Sequence, residues 1–177
     1  MKYIKLNLVL ILSFALAYFA KADEDYQVRY PALKNYIFIG LEDKTEEIQY
    51  WNTLPFEYLE FRSRGCNGEC PVYSIKFFKG GKAEYNGGIY SKVKGARTGK
   101  VSLFDYTLLS SYIERTNLLS LKNNYSGNYV DLEEFSVIIA TSSTVKEIKD
   151  LGKQSPPELL AYAALFENIS GKIKWKK

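Results

Sequence analysis

The chain has 177 residues, of which 46% are hydrophobic, and its 24 Lys and Arg against 20 Asp and Glu give a net charge of +4. It contains no histidine. That absence excludes Ser-His and Cys-His nucleophile pairs, histidine general bases and metal sites built on imidazole. We therefore expect a binding or structural module more than an enzyme, and we predict neither a cofactor nor a metal site.

The N-terminus has the order of a secretory signal peptide. Lys2 and Lys5 precede an apolar run of about fifteen residues, and Ala20-Lys21-Ala22 supplies the small-x-small pattern that signal peptidase accepts. The run is shorter than the roughly twenty residues that a bilayer requires, so cleavage is favoured over an anchor helix. We expect a signal peptide over residues 1–22 and a secreted or periplasmic protein that does not span the membrane after cleavage.

Loss of this leader would nearly neutralise the chain. Three lysines and no acid would be removed, leaving 21 basic against 20 acidic residues. A nucleic-acid-binding protein needs a basic face, which so balanced a chain does not predict. The expected partner is therefore an unknown protein or envelope ligand and not a nucleic acid.

Residues 23–54 have weak patterns. NYIFIGLED (35–43) contains an apolar run typical of a short strand, and the polar stretch after it contains Trp51 as an anchor. We interpret residues 23–54 as an N-terminal extension and residues 55–177 as a single α+β domain.

Three alternating segments then predict an antiparallel meander. They are FEYLEFRSR (56–64), VYSIKFFK (72–79) and KAEYN (82–86). In the first, Glu57, Leu59 and Phe61 are predicted on one face, as in a half-buried strand. Gly80-Gly81 predicts the hairpin between the second and third, because glycine adopts positive φ without a Cβ clash.

Two stretches are rich in lysine. YSKVKGARTGKVS (90–102) is either an anion-binding loop or a solvated loop or edge strand protected by lysines, and we favour the second interpretation. The terminal GKIKWKK (171–177) either touches an anionic surface or is a frayed soluble tail. The tail interpretation is favoured there.

The remaining elements are two helices and two strands. Ser102 and Asp105 form a capping-box-like helix start. The apolar face predicted for this helix consists of Phe104, Leu108, Leu109, Tyr112 and Ile113. EFSVIIATS (134–142) predicts a central buried strand, and VKEIKD (145–150) its partner.

The final helix is predicted to begin with Ser155 as N-cap and to stop at Gly171. The order β-β-β-α-β-β-α predicts an α+β fold. We expect an antiparallel sheet of about five strands with two helices packed on one face.

Cys66 and Cys70 are the two cysteines, and three interpretations compete. In an oxidising compartment, a loop with Gly68 at its centre can curl until the two cysteines bridge. Such a disulfide is favoured, and closing so small a loop contributes roughly 2 kcal/mol. It would shape the turn between two strands more than it stabilises the domain.

The alternative is a thiol-based copper-binding or redox protein. The spacing C-x-x-x-C-P resembles the copper site of Sco-type copper chaperones, in which a distant histidine completes the site, whereas this chain has none. A redox pair needs a lowered thiol pKa. Arg62 and Arg64 are the basic residues nearby, and Glu69 would oppose a thiolate.

The pattern Cys66-x-Gly68-x-Cys70-Pro71-x-Tyr73 resembles the signature of a bacterial domain of unknown function, family 6438. The resemblance covers roughly residues 56–170. It implies a small α+β domain, often behind a signal peptide, with no assigned activity and no catalytic residue to carry over. Gly68, Pro71 and Tyr73 are the motif residues beside the cysteine pair.

Two other residue groups are candidate sites. Asp131, Glu133 and Glu134 are more typical of solvated acids than of a catalytic carboxylate pair, and most aromatic residues fit core positions. Tyr125 and Tyr129 in an Asn/Gly-rich loop are the best candidates for exposed aromatic ligand contacts.

Overall fold

The structure, a computed structural model, describes residues 44–127 and 132–177. The predicted strand at 35–43 lies outside the described residues. The helices and strands in chain order are α1 (Lys44–Thr53), β1 (Phe56–Gly65), β2 (Val72–Phe78), β3 (Lys82–Gly87), β4 (Gly95–Lys100), α2 (Leu103–Arg115), a 3₁₀ turn (Leu118–Ser120), β5 (Asn124–Ser126), β6 (Glu134–Thr141), β7 (Val145–Leu151) and α3 (Pro157–Lys172).

The strands form one mixed sheet in the order β4-β3-β2-β1-β6-β7-β5. Short β5 runs parallel to β7, and every other pair is antiparallel. The α+β class is confirmed, but the prediction of about five antiparallel strands and two helices is wrong in detail. The described residues hold seven strands and three α-helices.

The missed elements lack the pattern that sequence analysis uses. Strand β4, GARTGK, contains one apolar residue, and backbone pairing to β3 positions it. Strand β5 has three residues. Helix α1 is polar, and Trp51 anchors it by packing edge-on against Tyr106 of α2 at 5.1 Å between ring centroids.

The core lies on one face of the central strands. Leu59 and Phe61 are buried there, and Phe77 of β2 stacks on Phe166 of α3 with centroids 4.4 Å apart. Each such large apolar side chain contributes about 1.5–3 kcal/mol when fully buried. A register irregularity between Phe56 and Tyr58 buries Phe56.

Helix α2 begins as predicted. The Ser102 hydroxyl accepts a hydrogen bond from the Asp105 amide at 3.1 Å. Leu109 and Ile113 are buried, but Phe104 is 38% exposed, so the predicted apolar face is only partly right. Tyr106 takes the core position instead, because its hydroxyl donates to the carbonyl of Phe56 at 2.9 Å.

The predicted start and end of α3 are wrong by one residue. Pro156 is the N-cap, and the helix runs from Pro157 through Gly171 to Lys172. The Ser155 amide instead donates to the Asp150 carboxylate at 2.7 Å, as does the Gln154 amide at 3.1 Å. Buried Asp150 therefore caps this turn in place of the serine.

Candidate functional site

The two cysteines sit at the turn between β1 and β2. Their sulfur atoms lie at disulfide distance, 2.10 Å, and their Cα atoms are 5.5 Å apart. The loop is tied back to β1 by the Ser63 hydroxyl, which donates to the carbonyl of Pro71 at 2.6 Å. The shape of this loop therefore sets the position of Pro71, the residue directly before β2.

This geometry leaves no thiolate for copper or for redox attack. The arginines near the loop are also engaged elsewhere. Arg64 pairs with Glu134 at 3.3 Å and Glu147 at 3.0 Å, while Arg62 pairs with Glu60 at 2.5 Å. The hydrogen bond to Glu60 raises the pKa of Arg62. A copper or redox function would therefore first require reduction of the pair.

A row of aromatic rings begins at the motif tyrosine. Phe61 in the core packs on Tyr73, with ring centroids 5.9 Å apart, and Tyr73 stacks on Tyr85 at 5.9 Å. Tyr85 in turn contacts Trp175 of the C-terminal segment at 5.6 Å. The row therefore runs from the buried core to the β4 side of the domain.

The row opens onto a groove of about 440 Å³, which we call the aromatic groove. Its wall includes Pro71, Tyr90, Lys92 and Glu167 in addition to the three half-buried rings. The Tyr73 hydroxyl donates to the carboxylate of Glu167 on α3. Burial, followed by this carboxylate, raises the pKa of Tyr73, which therefore stays a neutral hydrogen-bond donor.

The C-terminal tail, residues 171–177, forms one side of the groove. Its Trp175 indole donates to the Ser170 carbonyl at 3.2 Å, and Lys176 pairs with Thr98 of β4 through two backbone hydrogen bonds. A Cβ on Gly99 would lie 2.5 Å from Ile173, so this close approach requires glycine. The tail is therefore packed on β4, and the interpretation of it as frayed is wrong.

Residues 88–94, which we call the β3–β4 loop, form the opposite side. Val72 exchanges backbone hydrogen bonds with Gly88 and Ile89 at 2.7 and 2.9 Å. The buried Ser91 hydroxyl lies 2.7 Å from the Gly88 carbonyl and 3.0 Å from that of Val93. The cysteine motif and this loop are therefore adjacent parts of one site.

The family model described as "Domain of unknown function (DUF6438)" matches residues 57–170. The chain belongs to this family. The DUF6438 region includes the cysteine loop, Tyr73, Tyr85 and Glu167, whereas Trp175 lies just beyond it. No curated protein matches the chain.

The structure brings some predicted residues of this DUF6438 chain together and not others. Pro71 and Tyr73 line the groove, and Gly68 caps the loop by donating its amide to the Cys66 sulfur at 3.3 Å. Tyr125 lies on β5, where its hydroxyl accepts from the Lys122 amide. Tyr129 and Asp131 lie outside the described residues.

Sequence reasoning missed Tyr85, Glu167 and Trp175. Tyr85 lies in the predicted strand 82–86 with no signal that marks it as a ligand contact, and the other two are distant from it along the chain. The one available signal was a tryptophan inside the lysine-rich tail, because such a large ring is usually placed where it can pack.

The groove is lined by aromatic rings and few charged groups. One carboxylate, Glu167, is among its lining residues, whereas glycoside hydrolysis uses a pair. Across residues 44–127 and 132–177, no group of three or more Asp, Glu, Cys or His is placed to hold a metal. None of the helices described is long and apolar enough to cross a bilayer.

Proposed function

We propose that this chain is a secreted or periplasmic binding module whose aromatic groove holds a sugar ring of an envelope glycan. The observation that carries the proposal is the row of Tyr73, Tyr85 and Trp175 along one groove of about 440 Å³. A site of this size with apolar ring faces and few polar groups is the usual form of a small-ligand site.

The polar groups of the groove favour a ligand rich in hydroxyls. Glu167 is exposed, and beyond the oxygen bound by Tyr73 it offers a second acceptor. The exposed ammonium of Lys92 is a donor on the opposite wall. A sugar presents an apolar face of C–H groups and an edge of hydroxyls, which matches rings flanked by one donor and one acceptor.

The cysteine bridge positions the groove in this proposal. It sets the turn that leads through Pro71 into Tyr73, at the inner end of the aromatic row. A bridged pair also fits an exported protein, because disulfides persist in oxidising compartments. We assign residues 1–22 to a cleaved leader because their order of basic, apolar and small residues is that of a signal peptide.

Tryptophan fluorescence tests the proposal. Trp175 borders the groove and Trp51 lies in the core, so a bound ring should change the emission of Trp175 selectively. The probe is the trimer of N-acetylglucosamine, titrated into the exported chain. Replacement Tyr85→Ala should weaken binding about fivefold, because an aromatic contact contributes about 1 kcal/mol beyond its buried area.

The matched control is Tyr58→Ala. Tyr58 also packs on a neighbouring strand ring, Phe78 at 6.2 Å, but on the opposite face of the sheet. Equal weakening in both variants, or no emission change at millimolar trimer, contradicts a sugar site in the groove. Binding of a proline-rich peptide instead would keep the groove and replace the ligand class.

A further inference from the structure

The excess of positive over negative charge in the domain comes from two short segments that contain no acid. Residues 45–177 carry 18 basic and 15 acidic residues, and outside these segments the balance is 10 basic against 15 acidic. The eight basic residues are Lys92, Lys94, Arg97 and Lys100 in the first segment and Lys172, Lys174, Lys176 and Lys177 in the tail.

The fold places the two segments side by side. Thr98 of β4 and Lys176 of the tail form an antiparallel bridge, with N–O distances of 2.9 and 2.8 Å. A second groove, of about 590 Å³, lies along this junction and includes four lysines in its lining. They are Lys100, Lys172, Lys174 and Lys176.

These cations are not neutralised within the described part of the chain. None of the eight has an ion-pair partner there, since the seven pairs found involve other basic residues. Glu84, which faces Thr98 across the β3–β4 register, is already paired with Lys82 at 2.6 Å. Like charges held together repel, so the cluster favours an external anion.

The β3–β4 loop, which lies across the aromatic groove from the tail, adds apolar side chains next to the lysines. Ile89, Tyr90 and Val93 are 64%, 55% and 38% exposed, and exposed Lys92 and Lys94 flank Val93. The backbone beneath them is fixed, because the buried Ser91 hydroxyl holds the loop carbonyls. A Cβ on Gly87 would lie 1.7 Å from the Val93 carbonyl oxygen, so the loop folds tightly over this glycine.

We propose that the β3–β4 loop and the lysines of β4 and the tail form a docking surface for an anionic lipid membrane. Lysine protection of an edge strand explains cations on β4, but it does not explain the exposed Ile89, Tyr90 and Val93. A soluble polyanion needs cations alone. Apolar side chains interleaved with lysines are what an anionic lipid interface binds, since the rings and aliphatic chains enter between headgroups.

Co-sedimentation of the exported chain with vesicles tests this surface. The vesicles consist of phosphatidylcholine alone or with about one third phosphatidylglycerol, in about 0.1 M salt, where charges are screened beyond about 10 Å. The chain should bind the mixed vesicles and not the neutral ones. Each lysine near an anionic surface contributes about a fivefold factor, so Lys174→Gln with Lys176→Gln should weaken binding about 25-fold.

Matched variants separate the surface from net charge. Lys122→Gln with Lys153→Gln removes the same charge from exposed positions elsewhere, and it should change binding about twofold at most. Ile89→Ser with Val93→Ser should weaken binding about tenfold, with the unfolding midpoint unchanged because both side chains are already exposed.

Three results overturn the proposal. They are equal binding to neutral and mixed vesicles, equal loss in the two lysine pairs, and no loss in the Ile89 and Val93 pair. If that last result came with tight binding of inorganic polyphosphate, the cluster would serve a soluble anion. If a lysine variant fails to fold, the proposal is still tested by comparing how the unaltered chain binds neutral and phosphatidylglycerol-containing vesicles. The surface shares Tyr90, Lys92 and Val93 with the wall of the aromatic groove, but its test is independent of the proposed sugar binding, because the sugar titration contains no lipid and the sedimentation contains no sugar.

Discussion

The centre of the sheet and its β4 side are built on different principles. Around β1, Leu59, Phe61 and Phe77 are at most 4% exposed, and the two phenylalanines pack on Phe166 of α3. On the β4 side Tyr85 and Trp175 are half-buried, and the tail packs on Gly99. The lysines of β4 and the tail are exposed to solvent. The centre therefore supplies folding free energy, whereas the β4 side supplies surface that is available to a ligand.

The largest expected difference between the two regions comes from removing one ring in each. Phe166→Ala should lower the free energy of unfolding by about 3–5 kcal/mol, because its cavity lies against Phe61 and Phe77. Trp175→Ala should lower it by less than half as much, since half-buried Trp175 contacts one ring. Urea unfolding measures both. Equal losses would mean that the groove side is part of the folding core.

The buried carboxylate of Asp150 gives the next effect. Asp150→Ala leaves the amides of Gln154 and Ser155 without their acceptor, and we expect a loss of about 3 kcal/mol in unfolding free energy. The control is Asp105→Ala on the exposed start of α2, which should lose about 1 kcal/mol. If both variants lost the same amount, Asp150 would not be the anchor of α3.

The cysteine bridge connects the two regions and has an intermediate effect. Cys66→Ser should lower the free energy of unfolding by roughly 2 kcal/mol, as expected for a small closed loop. It should also weaken sugar binding, because the loop positions Tyr73. Thermal unfolding with a sugar titration measures both. Cys70→Ser should have the same two effects, since each change opens the same loop.

The oxidation state is measured by intact mass. The exported chain should add alkyl groups only after reduction, because its two sulfurs lie at disulfide distance. If both thiols label without reduction, the bridge is absent in the cell and copper titration becomes the decisive measurement.

The same contrast explains what the sequence could predict. Strands β1, β2 and β6 were located because their apolar residues repeat with the period of a half-buried or fully buried strand. Strand β4 has no such period, and it exists because its backbone pairs with β3 on one side and with Lys176 on the other. A strand that is held by backbone hydrogen bonds more than by buried side chains shows no periodic apolar pattern, so it is hard to predict from local sequence.

The candidate site was half predictable for a related reason. The motif Cys66 to Tyr73 is local, so its residues could be named from the sequence. Glu167 contacts Tyr73 because α3 packs on the sheet. Trp175 contacts Tyr85 because Gly99 has no side chain to keep the tail away from β4. That meeting depends on tertiary packing, which no spacing along the chain records.

The smallest predicted effect concerns Tyr73, where the core and the groove meet. Tyr73→Phe removes one hydrogen bond to exposed Glu167 and should lower unfolding free energy by about 1 kcal/mol at neutral pH. Tyr90→Phe, at an exposed ring, is the control and should leave it unchanged. Chemical denaturation at several pH values measures both variants and supplies the pH test.

The pH dependence follows from burial and from the Glu167 carboxylate, which together raise the pKa of Tyr73 above the unfolded value of about 10. The folded state then holds this proton more tightly than the unfolded state. The contribution is complete below about pH 10 and is lost as pH rises further. Tyr106 and Tyr162, whose pKa values burial also raises, add to the same alkaline loss.

The free energy of unfolding of Tyr73→Phe should therefore fall less steeply above pH 10 than that of the unaltered chain. Parallel curves would mean that the hydroxyl is solvated in the folded state, and that the groove is more open at its inner end than its contacts with Glu167 indicate.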